Sequence, residues 1–262
     1  MNGLKLLSLD FDGTLIGPWN GTQPEIASGL IPSLECLRQR GVLIALNTGR
    51  TVPLVDQAMR IFPFVPDYAL TAEREVYRWE GRQWVDVGDW NERCHRAHAD
   101  LFRKTTPLLD EIRRFLERDT EARPYYEDGL LVGVIAKTNE EMDRVQEFIA
   151  CRQVCCPDFS SQRNNIYLRF CHRAYDKGSV LNELQRVLTI NPGETFAAGD
   201  NFNDLPMLRR NCAHWLACPA NSVTEVKNMV SSGEGYVAEG AHGYGVMEAF
   251  AHFFPEAFDA DA

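Results

Sequence analysis

The chain of 262 residues, 45% hydrophobic and 24% charged, can bury a substantial core and is long enough for one large domain or two modest ones. Its 27 Lys and Arg stand against 37 Asp and Glu; the net charge of −10 repels a phosphate polymer, which excludes nucleic acid as an expected partner and requires any anion site to carry its own local positive charge. No signal-peptide pattern occurs and no stretch approaches the ~18 apolar residues of a membrane span, so the expectation is a cytoplasmic protein with no membrane partner and with its eight cysteines reduced.

Leu4 to Leu9 is an apolar run that delivers Asp10 and Asp12 into a Gly13-Thr14 turn, the pattern of a buried parallel strand. Acids at the carboxyl end of such a strand stand where open α/β sheets bind ligands. Two of them at 4 Å repel by about 4 kcal/mol at an effective dielectric of 20, so a cation is expected nearby. The plainer alternative is an ordinary Asp-Gly turn. Ile26 to Arg40 reads as a helix, since Ile26, Leu30, Leu34 and Leu37 recur at three and four residues and Gly41 suits its end. A second apolar strand, Val42 to Leu46, runs into Asn47-Thr48-Gly49-Arg50. A helix over Thr51 to Ile61 and a short strand at Tyr68–Thr71 follow, giving right-handed parallel crossovers.

From about Glu73 the texture changes. Val76-Tyr77-Arg78-Trp79 and Gln83-Trp84-Val85-Asp86 flank Glu80-Gly81-Arg82 as a hairpin. Helices are expected over Trp90 to Arg103, Pro107 to Glu117 and Asn139 to Ala150, and strands over Leu130–Ala136 and Asn165–Phe170. This block, residues 75–173, interrupts the parallel pattern and reads as a second α/β domain inserted into a core of residues 1–74 and 174–262. The pattern resumes with a helix from Lys177 to Leu188, a strand Thr195–Ala198, a helix Asp204–Arg210, a strand Ala213–Ala217 and helices Val223–Val230 and Val246–Phe253; the tail Asp259-Ala260-Asp261-Ala262 is expected to fray. Two clusters, Cys151/Cys155/Cys156 and Cys94/His95/His98, lack the second half of a zinc site.

Several chemical groups thus fall in order at strand ends: Asp10 and Asp12, Thr48-Gly49, Asp176-Lys177-Gly178, then Gly199-Asp200-Asn201-Phe202-Asn203-Asp204. A carboxylate such as Asp10 can attack phosphorus to give an aspartyl-phosphate, provided cations offset the repulsion of two anions. Mg²⁺ suits Asp10 and Asp200, because it takes hard oxygen ligands and is commonly held by one or two carboxylates and a substrate phosphate. Asp204 is a third possible ligand, with a helix N-cap as its alternative role. Thr48 can donate its hydroxyl to a phosphoryl oxygen, Gly49 permits close approach of the backbone, and Lys177 can neutralise phosphate. Lys177 stands near a helix start against the dipole, which points weakly to an anionic partner.

This order of motifs resembles the haloacid dehalogenase-like hydrolase superfamily, most of whose members are phosphatases. The Asp-Lys-Gly element and the long insertion before it are similar to the Cof-type, sugar-phosphatase-like subgroup. The resemblance implies a doubly wound parallel-sheet, Rossmann-like α/β core with an inserted α/β cap, and a phosphoric monoester hydrolase dependent on Mg²⁺. It implies that Asp12 gives its backbone carbonyl to the metal, while its side chain protonates the leaving alcohol and then activates water. It also implies that Asn203 hydrogen-bonds the phosphate. Arg50 receives no chemistry. The family often has Asn-Gly-Ala where Thr71-Ala72-Glu73 stands here, a departure that bears on the cap hinge or the pocket wall. Arg123, Tyr125, Tyr126, Arg169, His172, Arg173 and Tyr175 are candidates for reading a sugar. The expected partner is a small-molecule phosphate ester, most of all a sugar phosphate. A phosphomutase or a mannosyl-phosphoglycerate-type phosphatase is the enzyme alternative, and a catalytically silent metabolite-binding regulator the alternative of another class. Intact Asp10 and Asp12 argue against the last.

Overall fold

A computed structural model of the chain describes residues 3–258; the expected fraying of Asp259-Ala260-Asp261-Ala262 lies outside the described residues. The chain divides into two compact units, one that runs to Asn91 and resumes at Lys177, the other spanning Glu92–Asp176.

In chain order the first unit begins with β1 (Leu6–Leu9), β2 (Ile16–Asn20), β3 (Gln23–Ile26), α1 (Leu30–Gln39), β4 (Leu43–Asn47), α2 (Val52–Met59), β5 (Tyr68–Thr71), β6 (Glu75–Glu80) and β7 (Gln83–Asp86). The second holds most of α3 (Trp90–Lys104), then α4 (Thr106–Asp119), β8 (Arg123–Glu127), β9 (Leu130–Ile135), α5 (Asn139–Arg152), β10 (Phe159–Asn164) and β11 (Tyr167–His172). The first unit resumes with α6 (Lys177–Leu188), β12 (Thr195–Ala198), β13 (Trp215–Cys218), α7 (Thr224–Ser232), β14 (Tyr236–Val237) and α8 (His242–Phe253).

An eight-stranded sheet in the order β14-β13-β12-β1-β4-β5-β6-β7 organises the first unit. It is parallel from β14 to β5 and antiparallel beyond. All four residues of β1 are buried, which is why its sequence is continuously apolar rather than alternating. Two apolar clusters cover the faces: Leu7, Leu9, Leu30, Leu34 and Phe250 belong to one, and Leu6, Val180, Leu184 and Val230 to the other. This is the α/β fold expected, and β1 lies between β12 and β4 at its centre.

Three expectations change. The hairpin at 75–86 extends the core sheet, with Leu70 opposite Val76 and Tyr68 opposite Arg78. Asn91 fastens it, accepting from the Val76 amide at 2.7 Å and donating to the Val76 carbonyl at 2.9 Å. The inserted unit therefore spans Glu92–Asp176 instead of 75–173. A hairpin added antiparallel to a parallel sheet breaks the strand–helix rhythm as a new domain would, so periodicity does not separate the two. The helix expected from Ile26 starts at Leu30, because Gln23–Ile26 pairs with β2 and Gly29 turns at φ 91. The helix expected over Asp204–Arg210 is a short 3-10 turn, Phe202–Asp204, followed by irregular turns.

In the second unit, an antiparallel sheet in the order β10-β11-β9-β8 shares a core with the helices: Ile112, Leu116, Val145 and Ile149 cluster with Val134, Phe159 and Phe170. Thr138 caps α5, accepting from the Glu141 amide at 3.2 Å. Cys36, Cys151, Cys155, Cys156 and Cys218 are free thiols; Cys94 and His98 lie 3.5 Å apart within the unit, and its His98 ring accepts from the His172 amide. Among the described residues no helix is long and apolar enough to cross a membrane.

Candidate active site

The segments that follow β1, β4, β5 and β12 emerge at one edge of the sheet, and the groups singled out in the sequence meet there. Asp10 leaves β1 with its amide bonded to the Ala198 carbonyl of β12 at 3.0 Å. Lys177, the first residue of α6 and fully buried, donates from Nζ to Asp10 Oδ1 at 2.5 Å and to Asp204 Oδ1 at 2.6 Å. Asn47, at the end of β4, ties down the start of α6 by donating to the Lys177 carbonyl at 3.0 Å. Asp10 thus has a cation beside it, as expected for the acids after β1, supplied from a point 167 residues away in the chain.

Asp204 is not the N-cap of its turn. Asn201 caps it, and the Asp204 Oδ2 atom accepts from the amides of Asp200 (2.8 Å) and Asn201 (2.9 Å). Asp200 accepts from Thr14 Oγ1 at 3.1 Å, a role for Thr14 that the sequence reading did not assign. Gly13, at φ 89, makes this approach possible: a Cβ there would lie 2.5 Å from Asp200 Oδ2. Asp12 points instead to Arg50, whose Nε and Nη2 atoms bond its two carboxylate oxygens at 2.7 and 2.6 Å. Arg50, which the sequence left without a role, thus holds Asp12 by a bidentate pair. Thr48 is buried, and its Oγ1 accepts from the Arg50 amide at 3.2 Å. Asn203 is buried and donates to Glu73 Oε1 at 2.6 Å. Glu73 is the other site residue the sequence did not assign; its only signal there was the departure at Thr71-Ala72-Glu73.

In the second unit, Arg169 and Tyr125 both donate to Glu127 Oε1, at 3.0 and 3.1 Å, and the Arg169 guanidinium stands 6.0 Å from the Tyr125 ring. His172 and Tyr175 pack with His98.

Asp10, Asp200 and Asp204 each offer a carboxylate oxygen within 4.8 Å of the others. Burial pushes Asp200 up to about 7, and the charge of Asp204 adds to it. Burial likewise raises Asp10 well above the carboxylate range, against the pull of Lys177 and with the help of Asp204 and Asp200. Burial alone would lower Lys177, but Asp10, Asp204 and Glu73 more than offset this and raise it. Lys177 therefore stays charged. One ammonium does not balance three buried carboxylates, so the cluster retains a proton unless a further cation replaces it. Three hard oxygen donors short of positive charge fit a divalent ion such as Mg²⁺.

A stability prediction follows. Asp200 is raised in the folded state, so between about pH 4 and 7 the folded chain binds more protons than the unfolded one. Metal-free stability should fall as pH rises through this window, by at most about 1.4 kcal/mol per pH unit for one proton. Thermal unfolding in chelator should give a lower midpoint at pH 8 than at pH 6, and Mg²⁺ should remove the difference. A metal-free midpoint that rises over this range would contradict the charge imbalance.

Comparison with known proteins covers nearly the whole chain. The family model described as sucrose-6F-phosphate phosphohydrolase matches residues 4–254. A phosphoglycolate phosphatase of Thermoplasma acidophilum is 21% identical over 250 residues, covering 95% of this chain and 98% of that one. A putative HAD-like hydrolase of Nitrosococcus oceani is 25% identical over 282 residues, covering 96% of this chain and 72% of its own. Among solved structures, the sucrose-phosphatase of Synechocystis in complex with sucrose and phosphate superposes with a TM-score of 0.67 at 20% identity, covering 97% of this chain and 98% of that one. A haloacid dehalogenase-like hydrolase of B. subtilis gives 0.65 at 17%, covering 96% and 100%. At these identities the structural likenesses are of fold.

Proposed function

The chain belongs to the sucrose-6F-phosphate phosphohydrolase family of haloacid dehalogenase-like hydrolases, and we propose that it is a Mg²⁺-dependent phosphatase of a small phosphorylated metabolite, a sugar phosphate before others, acting through an aspartyl-phosphate. The observation that carries this reading is the Lys177 ammonium held between Asp10 and Asp204, with Asp200 beside them. Phosphoric monoester hydrolysis is the activity of this class of enzyme. The match to sucrose-phosphate phosphohydrolases and the sucrose and phosphate held by the Synechocystis protein support a sugar ester. The Thermoplasma phosphoglycolate phosphatases keep a small phosphorylated acid in view.

Asp10, Asp200, Asp204 and the backbone carbonyl of Asp12 would hold Mg²⁺, which when bound supplies positive charge between nucleophile and phosphate. The Asp10 carboxylate attacks phosphorus, the bond from phosphorus to the ester oxygen breaks, and Asp12 gives its proton to the departing alkoxide. Water then attacks the aspartyl-phosphate with Asp12 as base; phosphate leaves and Asp10 is restored. Thr48, Gly49, Lys177 and Asn203 bind the phosphoryl oxygens. The core motifs meet only the phosphoryl group, so residues 92–176 are proposed to read the leaving group. A substrate ranking unchanged after their replacement by a short linker, in a core that still folds, would remove them from that role.

The test is phosphate release from a panel of phosphorylated metabolites. Chelation should stop it and Mg²⁺ restore it, whereas Ca²⁺, with its looser coordination, should not. Full turnover of the metal-free protein would overturn the reading, as would no release from any ester.

Asp12→Asn should lower turnover by about 10²–10⁴-fold, the usual share of general acid–base catalysis. The loss should shrink with an activated leaving group that needs no proton. Equal losses for good and poor leaving groups in Asp12→Asn would remove it from proton transfer.

A further inference from the structure

Glu73 is a buried acid that the proposed hydrolysis does not use. It sits in a strained turn: Ala72 and Glu73 take φ values of 47° and 64°, and two successive non-glycine residues in the left-handed region cost free energy that the surroundings must offset. The offset is visible. The Ala72 amide donates to the Arg50 carbonyl at 2.8 Å and the Glu73 amide to the Thr48 carbonyl at 3.0 Å, so the turn is strapped to the segment that follows β4. Such strain is kept where it places a group that matters.

What it places is a carboxylate among the groups assigned above to the phosphoryl oxygens. Glu73 Oε1 accepts from Asn203 Nδ2 at 2.6 Å and lies 3.2 Å from where a Cβ on Gly49 would stand. Its charge also acts on the Lys177 ammonium. A carboxylate only accepts, so the Asn203 nitrogen must face it, which leaves Asn203 Oδ1 buried with no hydrogen-bond partner among the described residues. An amide expected to serve phosphate is therefore already committed to an anion of the protein itself.

We propose that Glu73 determines the affinity of the site for phosphate: in the ligand-free protein its carboxylate stands on the phosphoryl-binding donors, and phosphate must share or take them against a like charge. The residue weakens binding of the ester ground state and of released inorganic phosphate alike, and so promotes product departure. It acts through Asn203 and the local field, as a positioning residue, and this rests on the phosphatase reading above.

Two variants test it. Glu73→Gln keeps the size and an oxygen for Asn203 while removing the charge. Glu73→Asn also removes the charge, with a residue that tolerates the left-handed turn better. The readouts are calorimetric titration of inorganic phosphate into the Mg²⁺-loaded full chain, and KM, kcat and product inhibition with the best ester of the panel. Glu73→Gln decides if its thermal midpoint stays near that of the parent; otherwise Glu73→Asn decides. The expected result is phosphate binding at least tenfold tighter, with KM and the inhibition constant falling together and kcat unchanged or lower. Unchanged or weaker phosphate binding, in a parent that hydrolyses esters, overturns this inference and leaves the phosphatase reading intact. A parent that neither binds phosphate nor releases it from any ester overturns both.

Discussion

Asp10→Asn is expected to abolish phosphate release, by at least about 10³-fold, and at the same time to make the metal-free protein more stable. An amide is a poor nucleophile and a weaker metal ligand, so the covalent step is lost. The variant is isosteric, and its remaining oxygen can still accept from Lys177, which now donates to Asp10 at 2.5 Å. What disappears is one of three buried carboxylates within 4.8 Å of one another. Their mutual repulsion and desolvation are what raise Asp10 in the first place, so its removal relieves strain that the site carries for function. Turnover and chemical denaturation of the same preparation check both halves. A fall in activity accompanied by a fall in stability would mean that Asp10 is a structural acid; near-parental turnover would remove it from the nucleophile's role.

Lys177→Met should be the most damaging single change. Its side chain is fully buried, and its Nζ bonds two acids, Asp10 and Asp204. Methionine fills the space but leaves the carboxylates without their ammonium. Breaking a buried ion pair by removing one partner typically costs about 3–5 kcal/mol, a large part of a domain's total stability. Activity should vanish as well, since among the described residues Lys177 is the side chain that brings a cation to both Asp10 and Asp204. The double variant Asp10→Asn/Lys177→Met separates the two effects: it should recover part of the stability, because charge is again closer to balance, and none of the turnover. If Lys177→Met unfolds at the parental denaturant concentration, the lysine does not neutralise the cluster.

Both predictions could be framed from the sequence as far as residue identity goes. Asp10, Asp12, Thr48, Lys177, Asp200 and Asp204 each announce themselves locally: an apolar run too continuous for an exposed strand, broken by acids, a hydroxyl with glycine, or a lysine at a helix start. A buried parallel strand must be apolar on both faces, so the strands of the core sheet were legible from continuous apolar runs, and with them the edge where ligands gather. The order of these signals also sufficed to place the chain in its superfamily.

Pairing was not legible. Which acid takes Lys177, and that Arg50 takes Asp12, depend on distances across segments 27 to 167 residues apart, which periodicity does not encode. The same holds for the hairpin of β6 and β7. Its alternation specifies a hairpin, but whether that hairpin extends the core sheet or opens a new domain is decided by the hydrogen bonds of Leu70, Val76 and Asn91. Glu73 is the clearest case. As a sequence it was an unexplained departure; in the fold, a left-handed turn strapped to Thr48 and Arg50 carries its carboxylate to Asn203. The sequence by itself determined which groups could do chemistry and the sheet that presents them. The tertiary structure decided their partners and charge balance, because burial and Coulomb interactions act through space and not along the chain.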